Sequence, residues 1–85
     1  MSWFVYILEC GDGSLYTGIT TDLTRRLHEH NHAKQGARYT RAKRPVKLMY
    51  STPASDRSQA TKLEIAIKKL TRPQKYALIA QGETP

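Results

Sequence analysis

The stretch Trp3-Phe4-Val5-Tyr6-Ile7-Leu8-Glu9-Cys10-Gly11-Asp12-Gly13-Ser14-Leu15-Tyr16-Thr17-Gly18-Ile19-Thr20 decides the fold. Its first six residues are apolar on both faces, rich in β-branched and aromatic types, and too few for a free-standing helix. They predict a strand at the centre of a sheet. Gly11-Asp12-Gly13 supplies residues that tolerate positive φ, and Leu15 to Thr20 follows with strand-like alternation. Residues 3–20 therefore predict a β-hairpin.

Working outward, Thr21 or Asp22 is a good N-cap, and Leu23, Leu27 and His30 recur at helical spacing through the Asn31-His32 region. From Lys34 to Lys47 the chain carries six positive charges, no acid, a Gly and a Pro, which suits an exposed basic arm. Val46 to Tyr50 alternates well enough for a third strand, entered after Pro45 and expected to stop near Pro53. Ser55 or Asp56 would cap a longer helix with Ala60, Leu63, Ala66, Ile67 and Leu70 as its apolar stripe. Thr71-Arg72-Pro73 breaks that helix, and Gln74 to Gln81 forms a short last one closed by Gly82. The expected fold is α+β, a three-stranded, largely antiparallel sheet flanked by helices in the order β-β-α-β-α-α.

Eighty-five residues leave room for one domain, residues 1–85. The longest apolar run has six members, against the roughly 20 that a bilayer span needs, so no membrane role is expected. A lone Cys10 excludes an internal disulfide, and the N-terminus lacks the basic start of a secretory signal, so a reducing cytoplasm is the expected location. Fourteen Lys+Arg against seven Asp+Glu give a formal charge of +7, and a folded basic domain most often meets a polyanion. Nucleic acid is the expected partner, and charge alone does not separate binding from cutting.

Several residues could carry chemistry. Tyr6 and Tyr16 lie on the two hairpin strands, where the turn decides whether they are neighbours; taken alone, each reads as a core tyrosine with a satisfied hydroxyl. Arg26 and His30 stand at i and i+4 and share one helix face, Arg26 with a fork suited to phosphate and His30 able to hold or move a proton near neutral pH. Glu64 sits at the edge of the apolar stripe of the long helix as the only acid between Arg57 and Gln81. Alone it reads as an ion-pair partner of Lys68, yet one carboxylate also suffices to hold a Mg²⁺ whose other ligands are water and phosphate oxygens. His28 and His32 share a face too, but three histidines without a nearby carboxylate or cysteine set do not define a zinc site. In the arm, Tyr39 stands among Arg38, Arg41, Lys43 and Arg44, pairing phosphate contacts with a base-stacking ring, and Lys68, Lys69, Arg72 and Lys75 extend the same basic character.

Together these pieces resemble the GIY-YIG nuclease domain, in particular its small stand-alone bacterial members. Val5-Tyr6-Ile7 is similar to the first family motif, with Val5 where the family has glycine, and Tyr16-Thr17-Gly18 to the second. Thr20 to His30 resembles the family helix, with Arg26 at its arginine and His30 at its histidine; Glu64 falls where the family keeps its metal-binding glutamate. Gly36-Ala37-Arg38 and Ile67 to Lys75 resemble the stand-alone subfamily. Several family nucleases also use an asparagine near the C-terminal end of the domain, whereas the only asparagine here is Asn31. A motif as short as Tyr-Thr-Gly says little, but the five chemical residues in order and at family spacing are specific together.

The resemblance implies metal-assisted phosphodiester hydrolysis with Mg²⁺ or Mn²⁺, on DNA more than RNA. It implies Glu64 on the metal, Arg26 against transition-state charge, and Tyr6 taking a proton from the attacking water with Tyr16 or His30 positioning that water. It also implies that target choice comes from a partner protein or is loose, because many family nucleases carry a separate DNA-binding domain. The rival expectation is a nucleic-acid-binding module that keeps the fold but cuts poorly; an adaptor for protein partners explains neither the charge nor the five residues.

Overall fold

The computed structural model describes residues 2–32 and 43–82. Strand β1 (Trp3–Glu9) is central, paired antiparallel with β2 (Leu15–Thr20) on one side and β3 (Lys47–Ala54) on the other. Three helices, α1 (Leu23–His32), α2 (Arg57–Lys68) and α3 (Arg72–Gln81), complete the order β-β-α-β-α-α. Among the described residues no helix is long and apolar enough to cross a membrane.

The continuous apolar run of β1 is explained by burial on both faces, since successive strand residues point to opposite sides. Val5 and Ile7 enter a core with Ala60 and Ile67 of α2 and Ile79 of α3. Tyr6 and Leu8 enter a second core with Leu23 and Leu27 of α1 and Leu48 of β3. Thus α1 covers one face of the sheet, and α2 and α3 cover the other.

The hairpin turn closes through Cys10 and Ser14, with Gly13 at φ 84° as the residue that needs the left-handed region. Gly11 donates its backbone N–H to the Lys43 carbonyl at 2.7 Å, and Lys43 pairs with Asp12 at 3.3 Å, so the turn is tied to the segment that leads into β3.

Three expectations change in detail. The third strand runs through Pro53 to Ala54 instead of stopping at the proline, because β3 is an edge strand, where a proline nitrogen facing away from the neighbour costs no ladder bond. On α2, Ala66 is exposed; the buried stripe is Ala60 and Ile67, with Leu63 packed against it. The last helix begins at Arg72, not Gln74, since Thr71 and Gln74 form a reciprocal capping box that takes Pro73 into the first turn. Asp22, rather than Thr21, caps α1, accepting the Arg25 N–H at 3.0 Å. Asp56 caps α2 through the Gln59 N–H at 2.8 Å.

Candidate active site

The β1–β2 register places Tyr6 opposite Gly18 and Leu8 opposite Tyr16. The Tyr6 side chain lies across Gly18 so closely that a Cβ there would stand 2.5 Å from the phenol oxygen and 2.7 Å from Cζ. Glycine at this position is therefore a steric requirement of the tyrosine on the neighbouring strand. The Tyr6 and Tyr16 ring centroids are 6.4 Å apart.

Helix α1 lowers His30 onto both tyrosines, edge-on, at centroid distances of 5.9 Å to Tyr6 and 5.2 Å to Tyr16. The Tyr6 hydroxyl and His30 Nε2 are 2.9 Å apart. One turn earlier, Arg26 hydrogen-bonds the Tyr6 oxygen and pairs with Glu29 at 3.1 Å. The guanidinium can only donate, and with the ring proton of His30 on Nδ1 the Tyr6 hydroxyl donates its own proton to Nε2.

The electrostatics follow from burial. Tyr6 is 2% exposed, and its pKa is pushed up to about 12, chiefly by desolvation; the Arg26 hydrogen bond pulls the other way, while Tyr16 and Glu64 add to the rise. His30 is fully buried and held down to about 4, first by desolvation and then by the charge of Arg26, with Glu29 opposing and the charge of Arg44 adding the smallest lowering effect. Desolvation would lower the Arg26 pKa, but its hydrogen bonds to Glu29 and Tyr6 outweigh that and raise it. The pair Tyr6–His30 is thus neutral at physiological pH, with one proton between two atoms that can each hold it, beside a permanent cation.

Glu64 comes from α2, on the other face of the sheet from α1, and its charge still acts on Tyr6. Its side chain is 20% exposed and lies 3.5 Å from Lys68 Nζ one turn on. No group of three or more metal-ligating side chains exists among the described residues. A half-buried single carboxylate of this kind fits Mg²⁺, which keeps several waters and takes its remaining ligands from substrate phosphates, and does not fit a closed protein cage.

The basic residues divide. Arg38, Tyr39 and Arg41 lie outside the described residues. Lys43 is engaged with Asp12, and Arg44 donates from Nε to the His30 carbonyl and from Nη2 to the Glu29 carbonyl. Arg72 donates to the Gly13 carbonyl at 2.6 Å and lies over the Tyr76 ring, clamping α3 to the hairpin turn. Lys69 is exposed at the end of α2 and Lys75 is half-buried on α3. Sequence reasoning missed three supporting residues: Glu29, which holds Arg26; Asn31, whose amide oxygen accepts the Val46 N–H at 2.7 Å and whose amide nitrogen donates to the Val46 carbonyl at 3.1 Å; and the inward role of Arg44. Only the first had a local signal, the i,i+3 spacing of Arg26 and Glu29.

The hairpin presents two tyrosines to an arginine and a histidine on the following helix, in a fold of the nuclease-like class. Residues 2–77 match the GIY-YIG catalytic domain, and the chain belongs to that family. It is 54% identical over 82 residues to a UPF0213 protein of Desulfotalea psychrophila, covering 96% of this chain and 74% of that one. A UPF0213 protein of Streptococcus agalactiae serotype V is 50% identical over 92% of this chain and 88% of its own length. The solution NMR structure of a UPF0213 protein from Bacillus halodurans superposes with a TM-score of 0.61 at 41% identity, covering 96% of this chain and 87% of that one. That of a protein from E. faecalis does so at 0.62 and 42%, covering 94% and 85%.

Proposed function

We propose that this protein is a metal-dependent endonuclease that hydrolyses phosphodiester bonds of nucleic acid, DNA in preference to RNA. The observation that carries the reading is the neutral Tyr6–His30 pair at 2.9 Å, held under the Arg26 guanidinium and within the field of Glu64. A core tyrosine needs one hydrogen-bond partner; it does not need a buried histidine and a half-buried cation on the same oxygen.

In the proposed reaction the Tyr6 oxygen takes a proton from the attacking water as its own proton passes to His30 Nε2, so no net charge is created at the phenol. A basic tyrosine must form at a site where the resting hydroxyl holds its proton tightly, with a pKa near 12, and the relay to His30 meets that need. The arriving phosphate offsets the positive field of Arg26 and Arg44, which adds to the burial that keeps the His30 ring neutral in the free protein. Arg26, already aimed at the Tyr6 oxygen, turns its fork to the extra negative charge of the transition state. Tyr16, packed against His30, fixes the ring plane. Glu64 would hold Mg²⁺ or Mn²⁺, which when bound polarises a phosphate oxygen and stabilises the leaving oxygen. The arm residues Arg38, Tyr39 and Arg41, with Lys69 and Lys75, are the proposed nucleic-acid contacts.

The test is incubation of the purified protein with labelled single-stranded, duplex and branched DNA and RNA, with Mg²⁺ or Mn²⁺ and with chelator. Metal-dependent cleavage that is lost in Glu64→Gln supports the reading. Tight, salt-sensitive binding without cleavage of any substrate replaces it with that of a binding module.

A further inference from the structure

Arg44 belongs by sequence to the basic arm, yet its guanidinium faces the protein. Nε donates to the His30 carbonyl and Nη2 to the Glu29 carbonyl, 3.2 Å away in the second case. Those carbonyls lie in the last turn of α1, whose C=O groups have no partner within the helix and carry the negative end of its dipole. A cation with a rigid planar fork is the side chain that satisfies two neighbouring carbonyls at once. Beside it, Asn31 is bonded through both amide atoms to the backbone of Val46, so the end of α1 is clasped from two sides by residues 44–46.

The clasped residue is the one whose ring meets the Tyr6 hydroxyl. We propose that Arg44 is a positioning residue, its guanidinium locking the last turn of α1 so that the His30 ring is held on the Tyr6 hydroxyl. The geometric half of this proposal stands on the contacts above; its catalytic consequence rests on the proton-relay reading.

The groups facing His30 are Arg26 and Glu29 on its own helix, Tyr6 from β1, Tyr16 from β2, and Arg44 from the segment before β3. Of these, Arg26 and Arg44 oppose protonation of the ring and Glu29 favours it. Removal of Arg44 therefore acts twice, loosening the ring and removing a positive charge that adds to burial in keeping it neutral. A phosphate contact elsewhere on the surface would do neither.

The experiment is an NMR titration of the His30 imidazole nitrogens in the full chain, for wild type, Arg44→Met and Arg44→Lys, alongside cleavage kinetics and the salt dependence of DNA binding. Arg44→Met is expected to move the His30 titration to higher pH and to lose the hydrogen-bonded Nε2 signature. Its kcat is expected to fall roughly tenfold to a hundredfold with KM unchanged, the cost of misplacing a reacting group by about an ångström. Arg44→Lys keeps the charge without the fork, so the titration stays near that of wild type while the Nε2 signature weakens. A folded Arg44→Met protein with the wild-type His30 titration and Nε2 signature overturns the proposal. So does a change confined to weaker binding and a flatter salt slope, which makes Arg44 a phosphate contact. If Arg44→Met does not fold, the Nε2 signature of Arg44→Lys decides alone, an unchanged one overturning the proposal. If the wild type cleaves no substrate, the relay reading fails and the titration still decides whether Arg44 positions the ring.

Discussion

Acid should find this protein's weakness at His30. The ring is fully buried and neutral, with a folded pKa of about 4 against an ordinary 6.5. Below the ordinary value the unfolded chain binds a proton that the folded protein refuses, so stability is full above about pH 6.5 and is lost as pH falls towards 4. A difference of about 2.5 units at about 1.4 kcal/mol each corresponds to about 3.5 kcal/mol in the acid limit, of which about 2 kcal/mol is lost between pH 7 and about pH 4.5. With a urea m-value of about 1 kcal/mol per M for a small domain, the midpoint falls by roughly 2 M over that interval. Carboxylates titrate nearby, so the control is His30→Gln, which keeps an acceptor for Tyr6 and cannot take up the proton. Its stability should be lower at pH 7 and nearly flat where the wild type declines. Parallel pH dependence in the two proteins would refute the claim that a buried neutral His30 supplies the acid sensitivity.

Tyr6→Phe removes the hydroxyl and keeps the ring; it should cost about 1 kcal/mol of stability by denaturant titration and at least a hundredfold in cleavage rate. Glu64→Gln should abolish metal-dependent cleavage while nucleic-acid affinity survives or rises; if Glu64 serves only Lys68, the change costs under about 1 kcal/mol and cleavage continues. Gly18→Ala puts a Cβ 2.5 Å from the Tyr6 oxygen and should destabilise the fold by roughly 1–3 kcal/mol and weaken the Tyr6–His30 bond as read by NMR; a wild-type spectrum would show that the strand yields instead. Arg38→Ala and Arg41→Ala should each lower the slope of log affinity against log salt by about one, and unchanged slopes would put the nucleic-acid surface elsewhere.

The sequence by itself determined the hairpin, the central strand and the helix order, because each rests on a local signal. An apolar run of six forces burial on both faces, period and caps mark the helices, and Arg26 and His30 one turn apart must share a face whatever they pack against. Pro53 inside β3 was not legible, since only the position of that strand at the sheet edge makes a proline harmless there. Nor was the meeting of Tyr6 with Tyr16, which hangs on the register across the turn. Tertiary structure alone decided what the charges do. Arg44 and Arg72 read identically as basic residues in sequence, yet their guanidiniums are spent on backbone carbonyls of α1 and of the hairpin turn. A cation near an unsatisfied carbonyl gains more from the fold than from solvent, and which carbonyls lie within reach is fixed only once the elements have packed.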